Sequence, residues 1–167
     1  MTLLIGDKSR IAVEYSIHNR ESFFGCARLW FNNSFIGSLS DTIYLDGYLL
    51  GGCYKILSKP MLNDRYSFDN PVKIYESIYD DQLCDDDDLH DLALSYRVNF
   101  GTWSDYFNIY SYKLSESTGA ILWKLIDRCY DEAEDLINYP SCIFYETFNY
   151  SDLIEIMDQL NSIKTQQ

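Results

Sequence analysis

Two clusters of alternating apolar residues, separated by segments with helical spacing, most constrain the fold of this chain. From Ile11 to His18 every second residue is apolar or aromatic, as a half-buried strand requires. An apolar run over residues 23–31 ends at an Asn-Asn-Ser turn, and residues 35–39 resume the extended pattern. The first cluster therefore predicts an antiparallel meander.

The second cluster lies in the other half of the chain. Residues 92–100 alternate between apolar and polar side chains and predict a strand. Residues 106–114 and 120–126 flank the sequence Ser-Glu-Ser-Thr-Gly, which predicts a hairpin with a five-residue loop. Residues 142–148 predict a last strand.

Helical spacing occupies the gaps between these strands. Asp46 is expected to cap a helix that reaches Leu57. The pair Asn70-Pro71 predicts the start of a second helix, which should fade into residues 80–91.

Two further helices are predicted toward the end of the chain. Residues 128–139 favour a helix that Pro140 stops. The last helix is expected to begin near Asn149 or Ser151, with apolar residues on one face.

Strand clusters without a regular strand–helix–strand rhythm predict an α+β fold. We expect a mostly antiparallel sheet of about six or seven strands, with about three or four helices packed on it. A chain of 167 residues fits a single domain spanning residues 1–167.

The composition excludes several classes of protein. No run approaches the roughly 18 uncharged apolar residues of a membrane span, and the first residues lack signal-peptide features, so we expect a cytoplasmic protein. The five cysteines form no C-x-x-C pair, which predicts reduced thiols rather than disulfides or a zinc site. No cofactor and no bound metal are expected.

The charge is unevenly distributed along the chain. Residues 1–73 carry a net charge of +1 and residues 74–167 a net charge of −14, which gives −13 overall. Because a polyanion must be met by lysine and arginine, this balance argues against binding nucleic acid or an anionic membrane.

An acidic block occupies residues 80–91, and no lysine or arginine lies between Ile74 and Tyr96. A solvated loop and docking of a basic protein both remain open, whereas calcium binding is less favoured because the glycine and terminal glutamate of a calcium loop are missing. The candidate partner-binding carboxylates of this block are Asp80, Asp81, Asp85, Asp86, Asp87, Asp88 and Asp91.

A second acidic cluster lies on the predicted helix 128–139. On a helix its carboxylates would spread over more than one face, so some must meet solvent or a partner. If both clusters shared one side of the molecule, their field would accelerate capture of a basic partner. The members of the second cluster are Asp131, Glu132, Glu134 and Asp135.

Three tyrosines of the predicted hairpin, Tyr106, Tyr110 and Tyr112, alternate on one face of their strand. Most strand tyrosines are half-buried sheet residues, but an exposed row would supply rigid aromatic anchors for a protein interface. We therefore include these tyrosines in the candidate partner-binding set.

The sequence gives little support for an enzymatic function. The only histidines, His18 and His90, lie in no recognisable catalytic motif, and no phosphate-binding loop, nucleophile elbow or zinc-protease spacing is present. A pair of catalytic carboxylates could lie anywhere in so acidic a chain, so a hydrolase remains an alternative.

The N-terminal third carries a recognisable pattern. The sequence LIGDKSRIAVEY at residues 4–15, followed by FGCARLWFN at 24–32 and FIG at 35–37, resembles the opening of the bacterial immunity-protein family numbered forty-two. The match is best over residues 4–57 and is followed loosely through residues 92–126. This resemblance implies binding and neutralising a cognate toxin of a polymorphic or contact-dependent growth inhibition system, without catalytic residues.

These observations together predict an inhibitor of a basic toxin domain, such as a nuclease, that covers the nucleic-acid-binding cleft with carboxylates. The alternatives are an acidic adaptor that binds a basic protein without inhibiting it and, less favoured, a carboxylate-dependent hydrolase. No direct nucleic-acid or membrane partner is expected.

Overall fold

The computed structural model describes residues 1–126 and 133–166, and within them seven strands form two antiparallel sheets. The strands are β1 (Leu3–Gly6), β2 (Ile11–Asn19), β3 (Phe24–Phe31), β4 (Ser34–Tyr44), β5 (Phe107–Lys113), β6 (Thr118–Leu125) and β7 (Phe144–Asn149). The α-helices are α1 (Gly51–Leu57), α2 (Pro71–Leu83), α3 (Asp87–Leu94), α4 (Trp103–Tyr106) and α5 (Tyr150–Thr165). The predicted α+β fold is confirmed, with its strands divided between two sheets.

The first sheet is the predicted meander, in the order β1-β2-β3-β4. Asn32 and Asn33 take positive φ angles of 46° and 66°, the backbone that a type I′ hairpin turn requires, and Phe31 pairs with Ser34 across it. The predicted turn is confirmed. It forms here because asparagine tolerates the left-handed region better than most residues. The turn fixes the register between β3 and β4.

The N-terminal motif builds the edge of this sheet. Gly6 has a φ of +82°, and the backbone N–H and hydroxyl of Ser9 both donate to Asp7 Oδ1 at 2.8 Å, which closes the turn between β1 and β2. The carboxylate of Glu14 accepts hydrogen bonds from Lys8 Nζ at 3.0 Å and Trp30 Nε1 at 3.2 Å. The motif thus has a structural role in joining the first three strands.

The second sheet has the order β5-β6-β7, and its strands β5 and β6 are buried on both faces. One face contributes Ile109, Ile121 and Trp123 to a core shared with the first sheet and α5. The opposite face contributes Tyr110 and Leu122 to a separate core under α2 and α3. The sheet therefore forms the middle layer of this half of the molecule.

The first helical segment begins differently from the prediction. Residues Leu45–Leu50 form a π-helical turn that leads directly into α1. Asp46 lies inside this turn, where its carboxylate accepts from the backbone N–H of Gly47 at 2.7 Å and from Lys164 Nζ at 2.9 Å, so it does not cap α1. The predicted helix is correct in place but wrong in its cap.

The strand predicted over residues 92–100 is only partly correct. Helix α3 extends to Leu94, because the side chain of Asp86 caps its start and commits the following residues to helix. Beyond the helix, Tyr96 and Val98 are buried and hydrogen-bond to the backbone of β5, forming a single β-bridge between Arg97 and Tyr110. The alternation reflects a short extended segment rather than a full strand.

The helix predicted over residues 128–139 falls partly outside the described residues. In the described part of this segment, residues 133–139, the regular structure is a 3-10 turn, Glu134–Leu136. Ala133, Leu136 and Tyr139 are buried at intervals of three residues, which suits a 3-10 turn better than an α-helix. The predicted last strand and last helix are confirmed as β7 and α5.

Candidate protein-binding surface

Helix α2 begins where the sequence predicts. The side chain of Asn70 accepts a hydrogen bond from the backbone N–H of Val72 at 3.0 Å, and Pro71 occupies the first helical position. Ile74 and Ile78 are buried against the second sheet. This packing determines which residues of α2 remain exposed to solvent.

The acidic block is mostly helical rather than a loop. It contains the end of α2, a short turn, and most of α3. In the turn, Asp86 Oδ1 accepts a hydrogen bond from the backbone N–H of Leu89 at 3.1 Å. Asp87 and Asp88 lie in the first turn of α3, where the positive end of the helix dipole favours carboxylates.

Six carboxylates of the block are exposed, and no lysine or arginine of residues 1–126 or 133–166 forms an ion pair with them. They are Asp80, Asp85, Asp86, Asp87, Asp88 and Asp91. With few countercharges nearby, they concentrate negative potential on the outer side of α2 and α3. Such a surface attracts cationic groups.

Asp81 is the exception within the block, because it is buried. Arg65 donates from Nε to Asp81 Oδ2 at 2.6 Å and from Nη2 to Oδ1 at 2.9 Å, and the hydroxyl of Tyr66 donates to Oδ2 at 2.7 Å. The hydrogen bonds from Arg65 lower the pKa of Asp81, against the opposing effect of burial. Its inclusion among the partner-binding residues is therefore not supported: it anchors α2 to the preceding turn.

Asp135 has a similar structural role in the second acidic cluster. Its carboxylate accepts from Arg28 Nη2 at 2.6 Å, from the backbone N–H of Leu39 at 2.9 Å and from the hydroxyl of Ser38. Burial raises the pKa of Asp135, but these hydrogen bonds outweigh it and leave the pKa lowered. The carboxylate holds the 3-10 turn to β3 and β4 and is not free for a partner.

The rest of the second cluster divides in two. Glu134, next to Asp135, is exposed. The predictions for Asp131 and Glu132 lie outside the described residues. The described part of this cluster adjoins the first sheet, whereas the acidic block lies on the helices that cover the second sheet.

The three candidate tyrosines are buried, so the exposed aromatic row proposed from the sequence is wrong. Tyr106, Tyr110 and Tyr112 are each at most 3% exposed. The hydroxyl of Tyr110 donates to Gln82 Oε1 at 2.7 Å, which ties β5 to α2. These tyrosines fill the two cores because the second sheet is covered on both sides.

Sequence reasoning missed an apolar stripe on the outer side of α2. Val72, Tyr79 and Leu83 are 40%, 37% and 62% exposed. Their spacing of seven and four residues places them on one side of a helix, away from the buried residues Ile74 and Ile78. A helical projection of residues 71–83 would have shown this second stripe once the buried face was known.

Catalytic and metal-binding chemistry have little support in the described part of the chain. No group of three or more His, Cys, Asp or Glu side chains is placed there to hold a metal ion. His90 Nδ1 lies 2.7 Å from the carbonyl oxygen of Gln82, to which it can donate, and His18 Nε2 lies 3.8 Å from Cys26 Sγ. Within residues 1–126 and 133–166, neither histidine forms an ion pair with a carboxylate, as a catalytic base often does.

None of the helices within residues 1–126 and 133–166 has the length and apolarity needed to cross a membrane.

Comparison with known proteins gives a structural likeness without a sequence relative. No protein-family model matches the chain, and no curated protein matches it. The crystal structure of CdiI from Burkholderia dolosa AUO158 has a TM-score of 0.60 with this chain at 11% sequence identity, covering 99% of this chain and 100% of that one. The two proteins share a fold over nearly their full lengths.

Proposed function

We propose that this chain is an immunity protein that binds and neutralises a cognate toxin domain of a contact-dependent growth inhibition system, in the bacterial cytoplasm. The likeness to CdiI, an immunity protein of such a system, supports this class. Because one fold hosts many functions, the fold alone does not establish this function. The observation that most supports it is the set of six exposed carboxylates on α2 and α3, which have no ion-pair partner among the described residues.

The target of such a surface is a basic toxin domain, and we propose a nuclease. Lysine and arginine side chains that would hold nucleic-acid phosphates can hold aspartate carboxylates instead, through charge-assisted hydrogen bonds. Asp87 and Asp88 lie exposed on the first turn of α3, where each carboxylate can accept hydrogen bonds from an arginine guanidinium. The inhibitor would thereby occupy the nucleic-acid-binding cleft.

Within the predicted set, the structure favours the exposed carboxylates as toxin contacts. These are Asp80, Asp85, Asp86, Asp87, Asp88, Asp91 and, on the second cluster, Glu134. Asp131 and Glu132 remain proposed contacts on the sequence alone. Membership of family forty-two likewise remains a proposal, supported by the motif at residues 4–15, whose side chains and turn organise β1 and β2.

The test uses the toxin domain encoded next to this gene and follows its inhibition, its association rate and the protection of growth on co-expression. Replacing all four of Asp85–Asp88 by asparagine should slow association about 10-fold at low salt and flatten its salt dependence. Asparagine is chosen because it keeps the helix cap that Asp86 provides.

A matched control removes the same four charges elsewhere, at exposed sites. The control substitutions are Glu21→Gln, Glu116→Gln, Glu155→Gln and Asp158→Asn. If both variants slow association equally, net charge rather than the acidic block attracts the toxin. Binding without protection of growth would favour the acidic adaptor, and absence of binding by the unmodified protein would contradict the proposed function.

A further inference from the structure

The apolar stripe on α2 runs into the acidic block at its C-terminal end, where Leu83 lies among the aspartates in sequence. Tyr79 directly precedes Asp80, and Leu83 lies two residues before Asp85. Leu83 is 62% exposed at the end of α2, where the acidic turn begins. Exposed apolar side chains surrounded by charges have the arrangement of an interface centre and its rim.

Tyr79 is held in place before any partner arrives. Its ring stacks on that of Tyr75, with centroids 6.2 Å apart and planes at 11°. The hydroxyl of Tyr75 in turn accepts a hydrogen bond from Asn108 Nδ2 at 2.9 Å inside the second core. A partner that buries Tyr79 would lose little side-chain entropy, because much of the ring's freedom is already restricted.

A cleft adjoins the same tyrosine. It has a volume of about 420 Å³ and runs between α2 and the end of β6, with Tyr79 in its wall. Glu76 and Lys124 are its charged lining residues, and Ile143 is among its apolar ones. The cleft extends the apolar contact surface beyond the helix.

We propose that the apolar stripe, with Tyr79 and Leu83 as its anchors, is the centre of the toxin-binding interface and that the exposed aspartates form its rim. This rests on the proposed function. The partner surface that fits is an apolar pocket bordered by lysine and arginine. The carboxylates act during the encounter, and the anchors act after contact by burying their apolar surface in the partner's pocket.

Charge complementarity favours a basic protein as the partner of this stripe, over a second copy of this chain or a membrane surface. A second copy bound through the same patch would bring two sets of aspartates together, because a two-fold interface places the same surface on both subunits. The anionic headgroups of a cytoplasmic membrane leaflet would be repelled for the same reason. A basic protein both satisfies the carboxylates and covers the stripe.

The two roles predict different kinetics, which the experiment measures against the same toxin domain. Tyr79→Ala and Leu83→Ala should each weaken affinity about 30-fold, mainly through faster dissociation and with unchanged salt dependence. Tyr79→Phe should retain affinity within about 3-fold, because the ring supplies the contact. The acidic variant Asp85–Asp88→Asn should instead slow association.

Matched controls carry the same truncations at exposed sites on other elements. Tyr54→Ala in α1 and Ile154→Ala in α5 start from side chains that are 55% and 44% exposed. A thermal melt of each variant verifies that it is folded. If Tyr79→Ala and Leu83→Ala bind the toxin as these controls do while the unmodified protein still inhibits, the interface centre lies elsewhere and the proposed function stands.

Two other results would overturn the inference. Sedimentation showing a dimer of the unmodified protein that Leu83→Ala dissociates would assign the stripe to a second copy. A toxin that the unmodified protein neither binds nor inhibits would remove the proposed function, and with it this interface.

Discussion

Asp80 and Asp81 are neighbours in one acidic run, yet they have different roles. Asp80 is exposed, whereas Asp81 is buried and bound by Arg65 and Tyr66. The second acidic cluster repeats the contrast, with Glu134 exposed and its neighbour Asp135 bound to the first sheet. A carboxylate's role is therefore set by partners that are distant in sequence, so the number of acidic residues in a segment overstates its binding surface.

The partners explain why the difference cannot be read from the acidic segments themselves. Asp135 is paired with Arg28, which lies 107 residues earlier, and Asp81 with Arg65, which lies 16 residues earlier. Asp135 joins the 3-10 turn to β3 and β4, and Asp81 joins α2 to the turn at Arg65. The paired carboxylates should therefore affect folding and the exposed ones binding, and this separation can be tested.

The largest expected effect is that of Asp135→Ala. It leaves the guanidinium of Arg28, itself only 19% exposed, without its carboxylate, and it removes the acceptor of the Ser38 hydroxyl and the Leu39 N–H. We expect a loss of about 3 kcal/mol in the free energy of unfolding, measured by urea denaturation. Glu134→Ala, at the exposed neighbour, is the control and should change stability by less than about 0.5 kcal/mol. Equal effects of the two substitutions would contradict a structural role for Asp135.

The next effect is that of Asp81→Ala. Its carboxylate accepts three hydrogen bonds, two of them from Arg65, but that arginine is about half exposed and can regain water. We expect a loss of about 2 kcal/mol in the free energy of unfolding. Asp80→Ala, one residue away on the exposed side, should lose much less unfolding free energy. A loss as large as that of Asp81→Ala would show that the stability of the block does not depend on the hydrogen bonds of Asp81 in particular.

The same carboxylate should also make stability depend on pH. The pKa of Asp81 lies below its ordinary value of 3.8 in the folded chain, so the unfolded chain binds more protons as the pH falls through this range. The stability that Asp81 contributes is thus fully present above about pH 5 and is lost as the pH falls through the folded pKa. The free energy of unfolding of Asp81→Ala should show a shallower decline below pH 4 than that of the unmodified protein, and parallel curves would exclude Asp81 as a source of acid sensitivity.

Local signals in the sequence were sufficient for much of the fold. Asparagine pairs that accept positive φ predicted the hairpin at Asn32-Asn33, and a cap followed by proline predicted the start of α2 at Asn70. The strand predicted over residues 92–100 failed because apolar alternation competed with a helix cap at Asp86, and the cap determined the structure as far as Leu94.

The candidate site was less predictable than the fold, because exposure depends on which elements cover one another. Tyr110 and Tyr112 alternate correctly on β5, but the helices α2 and α3 cover the face on which they lie. The same packing turned Tyr79 and Leu83 outward, although apolar residues in a helix ordinarily suggest a core. Neither outcome is encoded in the local pattern of one segment.

The smallest expected effect is on the free energy of unfolding, from substitutions at Asp86 in the acidic block. These substitutions distinguish the contribution of its charge from that of its hydrogen bond. Asp86 is exposed, yet its Oδ1 accepts the backbone N–H of Leu89 at 3.1 Å and so caps α3. Asp86→Ala should lose about 1 kcal/mol of unfolding free energy, whereas Asp86→Asn should be nearly neutral because asparagine caps helices as well as aspartate does. Both variants lose the same charge, so their toxin association rates should match while their denaturation midpoints differ. If the asparagine variant is as unstable as the alanine one, charge near the helix dipole rather than the cap stabilises α3, and the block cannot be neutralised without affecting the fold.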